Sequence, residues 1–357
     1  MISSLKNKKG TFLPEDFYLG HELSFFIHDI MAGILFYGEK GNFFTHSIQI
    51  NSNIKELKNK ENIFSWLEDN NLLKDRSQLL KTVVLPAILS DMLNCIYECL
   101  ETSRKGKLNV SYMLIRKPLQ ENLYLLEEII LNEFNFSEKL VNESIKLDSK
   151  NAGGIEKHKE RIEKVINTIN KEIFFDSSYI AELRYDKTKE DSFDGICNHA
   201  MHLFTSHKSI KTENLNINFI FSDFDSKITQ WTYLYTRLPY LLFYILQIVE
   251  YITASIVLTN QEYLDETQRK ISALIILCYK EINQTYKNEY LEKFLDQTIN
   301  WLNSHCLLNG YKTPAEKDLI RMYKKGAYPK EKEKSIKERI NRYQQIYLDN
   351  NLKNGIK

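Results

Sequence analysis

The stretch from Leu238 to Leu258 reads LPYLLFYILQIVEYITASIVL and is apolar along almost its whole length. A segment of this length could span a bilayer. Gln247 and Glu250 lie near its middle, however, where an acidic side chain is costly in lipid. We therefore interpret the stretch as the buried central helix of a globular protein, with a membrane span as the alternative.

The rest of the composition supports a helical protein. The 357 residues include only 12 glycines and six prolines, so residues that break helices and form tight turns are scarce. We predict an all-α fold, a multi-helix bundle around the long apolar helix at 238–258, with at most a small β element. The best strand candidate is Leu215 to Phe221, LNINFIF, because apolar and polar residues alternate there.

The clearest flexible joint is Asn151-Ala-Gly-Gly154. It predicts an N-terminal helical subdomain over 1–150 and a central helical subdomain over 155–311, followed by a basic helical segment over 312–357. One continuous domain is the alternative. Pro86 and Pro118 interrupt two long helical patterns, so we expect a kink or local change of helix at each.

The basic C-terminal segment contrasts with a nearly neutral whole, which has 48 Lys/Arg and 47 Asp/Glu. Residues 312–357 hold 13 basic and six acidic residues, interleaved with tyrosines. Basic side chains position phosphates and tyrosines stack on bases, so RNA or DNA is a possible partner. The candidate nucleic-acid-binding residues are Lys324, Lys325, Lys330, Arg339 and Arg342. The alternative is a solvated helix face whose tyrosines dock it on the body.

Most familiar catalytic motifs are absent from the sequence. It has no glycine-rich phosphate loop, no GxSxG and no HExxH. Its five cysteines form no CxxC pair, which argues against a structural zinc site and a disulfide scaffold. We expect no metal and no cofactor. The N-terminal stretch lacks an apolar signal region, so we expect a cytoplasmic protein.

The densest polar cluster is Asp191 to Glu213, and most of it lies on a predicted helix that starts with a capping box at Thr188 and ends near Lys208. His199 and His202 lie three residues apart there, and Asp223 and Asp225 follow the strand candidate. Histidine titrates near neutral pH and carboxylates hold metal ions, so these four are the candidate catalytic residues. Structural histidines and a polar loop capping the next helix are the alternative.

A second candidate site is a pocket formed by Arg116, Glu121 and His207. Arg116 lies in an apolar stretch beside Pro118, and a buried arginine needs a carboxylate partner. The alternative is a structural ion pair.

Two stretches carry a resemblance to known proteins: IRKPLQENLYLLEE and NHAMHLFTSHKSIKTENLNINFIFSD. They resemble segments of uncharacterised helical bacterial proteins, some of them of abortive-infection and phage-defence type. The helical character is also similar to the HEPN class of ribonucleases, in which an arginine is followed four to six residues later by histidine. No arginine here has that histidine, so the resemblance implies no HEPN chemistry.

From these observations we expect an interaction or sensor component of a bacterial phage-defence system. Its partner would be another protein or a second copy of the chain, and no membrane. A nucleic-acid-directed effector, such as a nuclease, is the first alternative. A membrane-active effector built on the apolar helix is the second.

Overall fold

The computed structural model describes residues 10–48 and 63–342, and the described chain contains helices and turns but no strand. The predicted all-α fold is confirmed. The helices are α1 (Tyr18–Lys40), α2 (Ile63–Asp69), α3 (Leu73–Arg104), α4 (Leu108–Lys117), α5 (Leu123–Leu131), α6 (Glu133–Asn142), α7 (Ile155–Thr168), α8 (Ser177–Tyr185), α9 (Phe193–Met201), α10 (Phe224–Ala254), α11 (Gln261–Glu281), α12 (Glu289–Leu308) and α13 (Glu316–Lys325). Residues 333–342 are also helical.

Helix α10 is the centre of the bundle, as the sequence predicts. Nearly every side chain from Trp231 to Ile252 is buried, because apolar residues cover all sides of the helix rather than one stripe. Helices α1, α4 and α5 pack against it. The indole of Trp231 donates to the carbonyl oxygen of Ser103 at 2.9 Å, which ties α10 to the end of α3.

One hydrophobic core runs through most of the molecule. Its buried residues begin at Leu13 and end at Phe294, so they lie on both sides of the predicted boundary at residues 151–154. A smaller cluster joins α11, α12 and α13 around Leu302 and Met322, with Tyr328 at its edge. The division into subdomains stays a prediction.

Two glycines of α1 offer a matched pair of substitutions. A Cβ at Gly20 would lie 2.8 Å from the Cβ of Tyr235 on α10, whereas a Cβ at Gly33 would meet no atom within 4 Å. We expect Gly20→Ala to lower the free energy of unfolding by about 1–3 kcal/mol, because it forces two packed helices apart. Gly33→Ala should raise it by about 0.5–1 kcal/mol through helix propensity alone. Urea unfolding of both variants measures the difference; equal effects would mean that α1 and α10 are not in close contact.

Two local predictions are wrong. Leu215 to Phe221 is not a strand but a series of turns, and Leu215 and Phe219 have φ values of 62° and 61°, which a strand does not allow. The helix predicted from Thr188 to about Lys208 is only α9, capped at its start by the hydroxyl of Ser192 rather than by Thr188. It ends at Met201 because the chain then turns back on itself.

Two of the described helical stretches are long and apolar enough to cross a membrane by length and composition, Glu15–Lys40 and Leu73–Arg104. In this structure 39% and 50% of their most apolar windows are buried, which is also typical of core helices in a folded domain. Helix α10 is not among the described helices that meet this criterion.

Candidate interaction surface

The four candidate catalytic residues lie in different local environments. The ring nitrogen Nε2 of His199 donates to the carbonyl oxygen of Ile210 at 2.7 Å, whereas His202 is exposed as the first residue after the helix. Asp223 caps α10 by accepting from the backbone N–H of Ser226 at 2.8 Å, and Asp225 is exposed on its first turn. Within residues 10–48 and 63–342, no group of three or more His, Cys, Asp or Glu side chains could hold a metal ion.

The predicted pocket residues also lie in different environments. Arg116 is partly buried and approaches Glu121 at 3.9 Å, across the turn that begins at Pro118. His207 is exposed in the loop after α9, where its Nδ1 accepts a long hydrogen bond, 3.4 Å, from the backbone N–H of Ser209. The Arg116–Glu121 pair is the ion pair that the alternative interpretation anticipated.

Five of the eleven basic residues that the structure describes in the C-terminal segment form ion pairs. Arg339 is buried between Glu266 and Glu331. Lys325 pairs with Glu333 at 2.9 Å, and Arg342 pairs with Glu262 at 3.3 Å. Lys324 and Lys330 are exposed. Tyr328 is buried and the hydroxyl of Tyr323 bonds to Glu22, so both tyrosines dock this segment on the body; Tyr343 and Tyr347 lie outside the described residues.

A buried ionic network lies beside Pro118, where the chain forms a π-helical turn over Pro118–Asn122. Both oxygens of the Glu127 carboxylate are fully buried, one bound to Arg184 and to the hydroxyl of Tyr244 (3.0 Å), the other to Arg161 at 2.8 Å. Burial alone would raise the pKa of Glu127, but the two guanidinium groups outweigh it and lower the pKa. Glu127 is therefore a buried anion whose contacts join four helices, α5, α7, α8 and α10.

His158 belongs to the same network. Its ring stacks on Tyr185 with centroids 3.7 Å apart, and its Nδ1 accepts a hydrogen bond from Arg161 at 2.8 Å. Burial, together with the positive charges of Arg161 and Arg184, lowers the pKa of His158 to about 4. The histidine is thus neutral over the ordinary pH range and acts as an acceptor within the core.

Glu250, near the end of α10, differs from His158 in that burial raises its pKa. The pKa rises to about 7, although Lys171 and a hydrogen bond from Gln247 (3.1 Å) favour the charged form. It is the acidic residue whose position in the apolar helix argued against a membrane span.

The most unusual surface feature is the loop between α9 and α10, which we call the apolar loop (residues 201–224). Seven of the 25 large apolar side chains that are exposed in the described chain fall within these 24 residues. Leu215 is fully exposed, and the other six are between 44% and 66% exposed. The seven are Met201, Leu203, Phe204, Leu215, Ile220, Phe221 and Phe224. Taking roughly 200 Å² for each free side chain, they expose on the order of 900 Å².

Hydrogen bonds fold the apolar loop into a defined shape. The side-chain amide of Asn218 donates to the carbonyl oxygen of His202 at 2.8 Å, and its backbone N–H donates to that of Leu203 at 3.1 Å. Thr205 and Thr212 are joined by reciprocal bonds of 2.8 and 2.9 Å. These bonds hold residues 202–205 against residues 212–218 of the loop.

Two large residues of the apolar loop have a strained backbone. Leu215 and Phe219 both occupy the left-handed region, which is uncommon for large side chains and costs roughly 1–3 kcal/mol each. Phe219 packs against the hydrophobic core, with its ring centroid 6.1 Å from that of Tyr112. A fold that maintains such strain and exposes seven apolar groups has the features of a binding surface.

Comparison with known proteins gives no relative for this chain. It matches no known protein-family model, and neither a curated protein nor a solved structure matches it significantly.

Proposed function

We propose that this chain is an interaction component, without chemistry of its own, that acts in a bacterial phage-defence system of abortive-infection type. The apolar loop is the observation that carries the interaction part of the proposal. Two segments of the chain resemble uncharacterised helical bacterial proteins, some of them of phage-defence type, and this resemblance supports the biological setting. His199 binds the carbonyl oxygen of Ile210 and Asp223 caps α10, so both have structural roles, which favours this function over a nuclease.

The occupant that we propose for the apolar loop is a second copy of the chain. Its exposed apolar area of on the order of 900 Å² is close to the ~800 Å² per partner that stable protein interfaces bury. A two-fold contact places the same surface against itself, so an excess of one charge would be repulsive. Residues 201–227 avoid this, because three lysines balance three acidic residues. The same balance disfavours an anionic lipid surface or nucleic acid as the occupant.

The double substitution Phe204→Asp/Phe221→Asp is expected to convert a dimer into a monomer. The two carboxylates would lose their hydration on entering an apolar contact, which costs free energy. The contact would also lose the hydrophobic stabilisation that the two phenylalanine rings provide. Light scattering with size-exclusion chromatography over a concentration series measures the mass, which should fall to the 42.2 kDa of one chain. Leu258→Asp/Leu308→Asp, at two leucines outside the loop that are even more exposed than Phe204 and Phe221, should leave the dimer intact.

A wild-type chain that is monomeric throughout the series would refute a second copy as the occupant. The defence setting has a separate test. Bacteria that express the wild-type chain with its neighbouring genes should form fewer phage plaques than bacteria that express Phe204→Asp/Phe221→Asp. Equal plaque numbers for wild type and empty vector would overturn the defence role while leaving the dimer result standing.

The nucleic-acid alternative has less support, because Lys325, Arg339 and Arg342 are already paired with carboxylates. The membrane alternative built on α10 has less support because that helix is buried along its length.

A further inference from the structure

A cavity of about 340 Å³ lies between α3, the end of α5 and the end of α10, away from the apolar loop. It is lined by Lys81 and Glu133 and by apolar side chains that include Ile129, Ile130, Tyr251 and Ile252. Its volume is at the lower end of the range for small-molecule sites, roughly 300–1,000 Å³. The cavity is therefore large enough for one small metabolite and too small for a folded segment of another protein.

The two charged groups are held side by side. The ammonium of Lys81, 7% exposed, lies 2.7 Å from Oε1 of Glu133 and donates to the hydroxyl of Ser255 at 3.2 Å. Ser77, one turn before Lys81, binds the other carboxylate oxygen of Glu133. An ammonium has three N–H groups, so these two contacts leave Lys81 one donor. The Glu133 oxygens likewise keep lone pairs, and this side chain is 36% exposed at the cavity.

We propose that this cavity binds a zwitterionic α-amino acid with an apolar side chain. The amino acid's carboxylate would take the remaining donor of Lys81, and its ammonium would bind Glu133. These two groups flank one Cα, with nitrogen and carboxyl carbon roughly 2.5 Å apart, which matches a lysine–glutamate pair at bonding distance. The isoleucines and Tyr251 would surround the side chain. A ligand with only one of the charges would make only one of these two charge-assisted contacts.

The test uses L-leucine and two analogues that each lack one charge, 4-methylpentanoate and 3-methylbutylamine. Calorimetric titration of the full chain should show saturable binding of leucine. Each analogue should bind at least about tenfold more weakly, because each lacks a hydrogen bond to a charged group. Lys81→Met should weaken leucine binding to the same extent, and Lys334→Met, at an exposed lysine elsewhere, should leave it unchanged.

A second variant guards against misfolding of Lys81→Met, which circular dichroism would detect. Ala254 lines the cavity but is exposed, so Ala254→Trp should fill the cavity without disturbing the core and abolish leucine binding. The proposal is overturned if leucine binding does not saturate, if the single-charge analogues bind as tightly, or if Ala254→Trp binds leucine like the wild type.

Discussion

Glu127→Gln is expected to lower the free energy of unfolding by about 3–5 kcal/mol, which is the usual cost of breaking a buried ion pair from one side. Glutamine has nearly the same shape, so packing is preserved and the loss is electrostatic. The substitution leaves Arg161 and Arg184 buried without the carboxylate that both contact. Urea or guanidinium unfolding followed by far-ultraviolet circular dichroism gives the measurement.

The next residue provides the control for this prediction. Glu128 is partly exposed and approaches Lys139 at 3.9 Å, so Glu128→Gln should change the free energy of unfolding by less than about 1 kcal/mol. A similar small effect for Glu127→Gln would mean that the two arginines find other partners. In that case the buried network would not hold α5, α7 and α8 together.

The second prediction concerns opposite pH dependences of His158 and Glu250. For His158 the pKa is about 4 in the folded state against 6.5 for the free side chain, so the unfolded chain binds the proton more tightly. Its stabilising contribution is complete above pH 6.5 and is lost as the pH falls towards 4. His158→Phe keeps a ring against Tyr185 and should remove about 1–2 kcal/mol of this pH-dependent loss.

For Glu250 the pKa is about 7 in the folded state against 4.5 for the free side chain, so here the folded state binds the proton more tightly. The stabilising contribution of the protonated acid is complete below pH 4.5 and is lost as the pH rises through 7. Glu250→Gln should therefore be more stable than the wild type at pH 8, by about 1–2 kcal/mol, and equal to it near pH 4.5.

The free energy of unfolding of the wild type and both variants, measured at several pH values, tests both pH dependences together. Between pH 4.5 and 6.5 the two contributions oppose each other in the wild type, so its own curve should be flatter than that of either variant. Curves for the two variants that run parallel to the wild type would show that neither side chain has the environment described here.

A structural feature could be predicted from the sequence when the residues that form it are close together along the chain. Helix α10 was predictable because a long apolar run with few breakers carries its own signal. The bounds of α9 were not, because Leu203 and Phe204 continue the apolar pattern of that helix but lie outside it. Asn218, which draws the chain back on itself, is 16 residues from its partner His202.

The polar clusters depend on still longer separations. Arg161 and Arg184 are 34 and 57 residues from Glu127, and Ser255 is 174 residues from Lys81. The sequence pairs Arg116 with Glu121 because they are close along the chain, but no local pattern indicates which acid is buried. The asparagines within LNINFIF were the one available sign that this segment turns rather than extends.

The position of α10 late in the chain has a consequence during synthesis on the ribosome. Helix α1 packs against α10, with Gly20 directly against Tyr235, yet about 200 residues separate them. At 5–20 residues per second, α1 waits roughly 10–40 s for α10, although α3, which also packs against α1, is synthesised earlier. Helices α1 and α3 are the two described helices apolar enough to enter a bilayer. The nascent chain therefore exposes apolar surface on both helices during that delay. We expect a chaperone that binds these two helices during synthesis to raise the yield of folded protein.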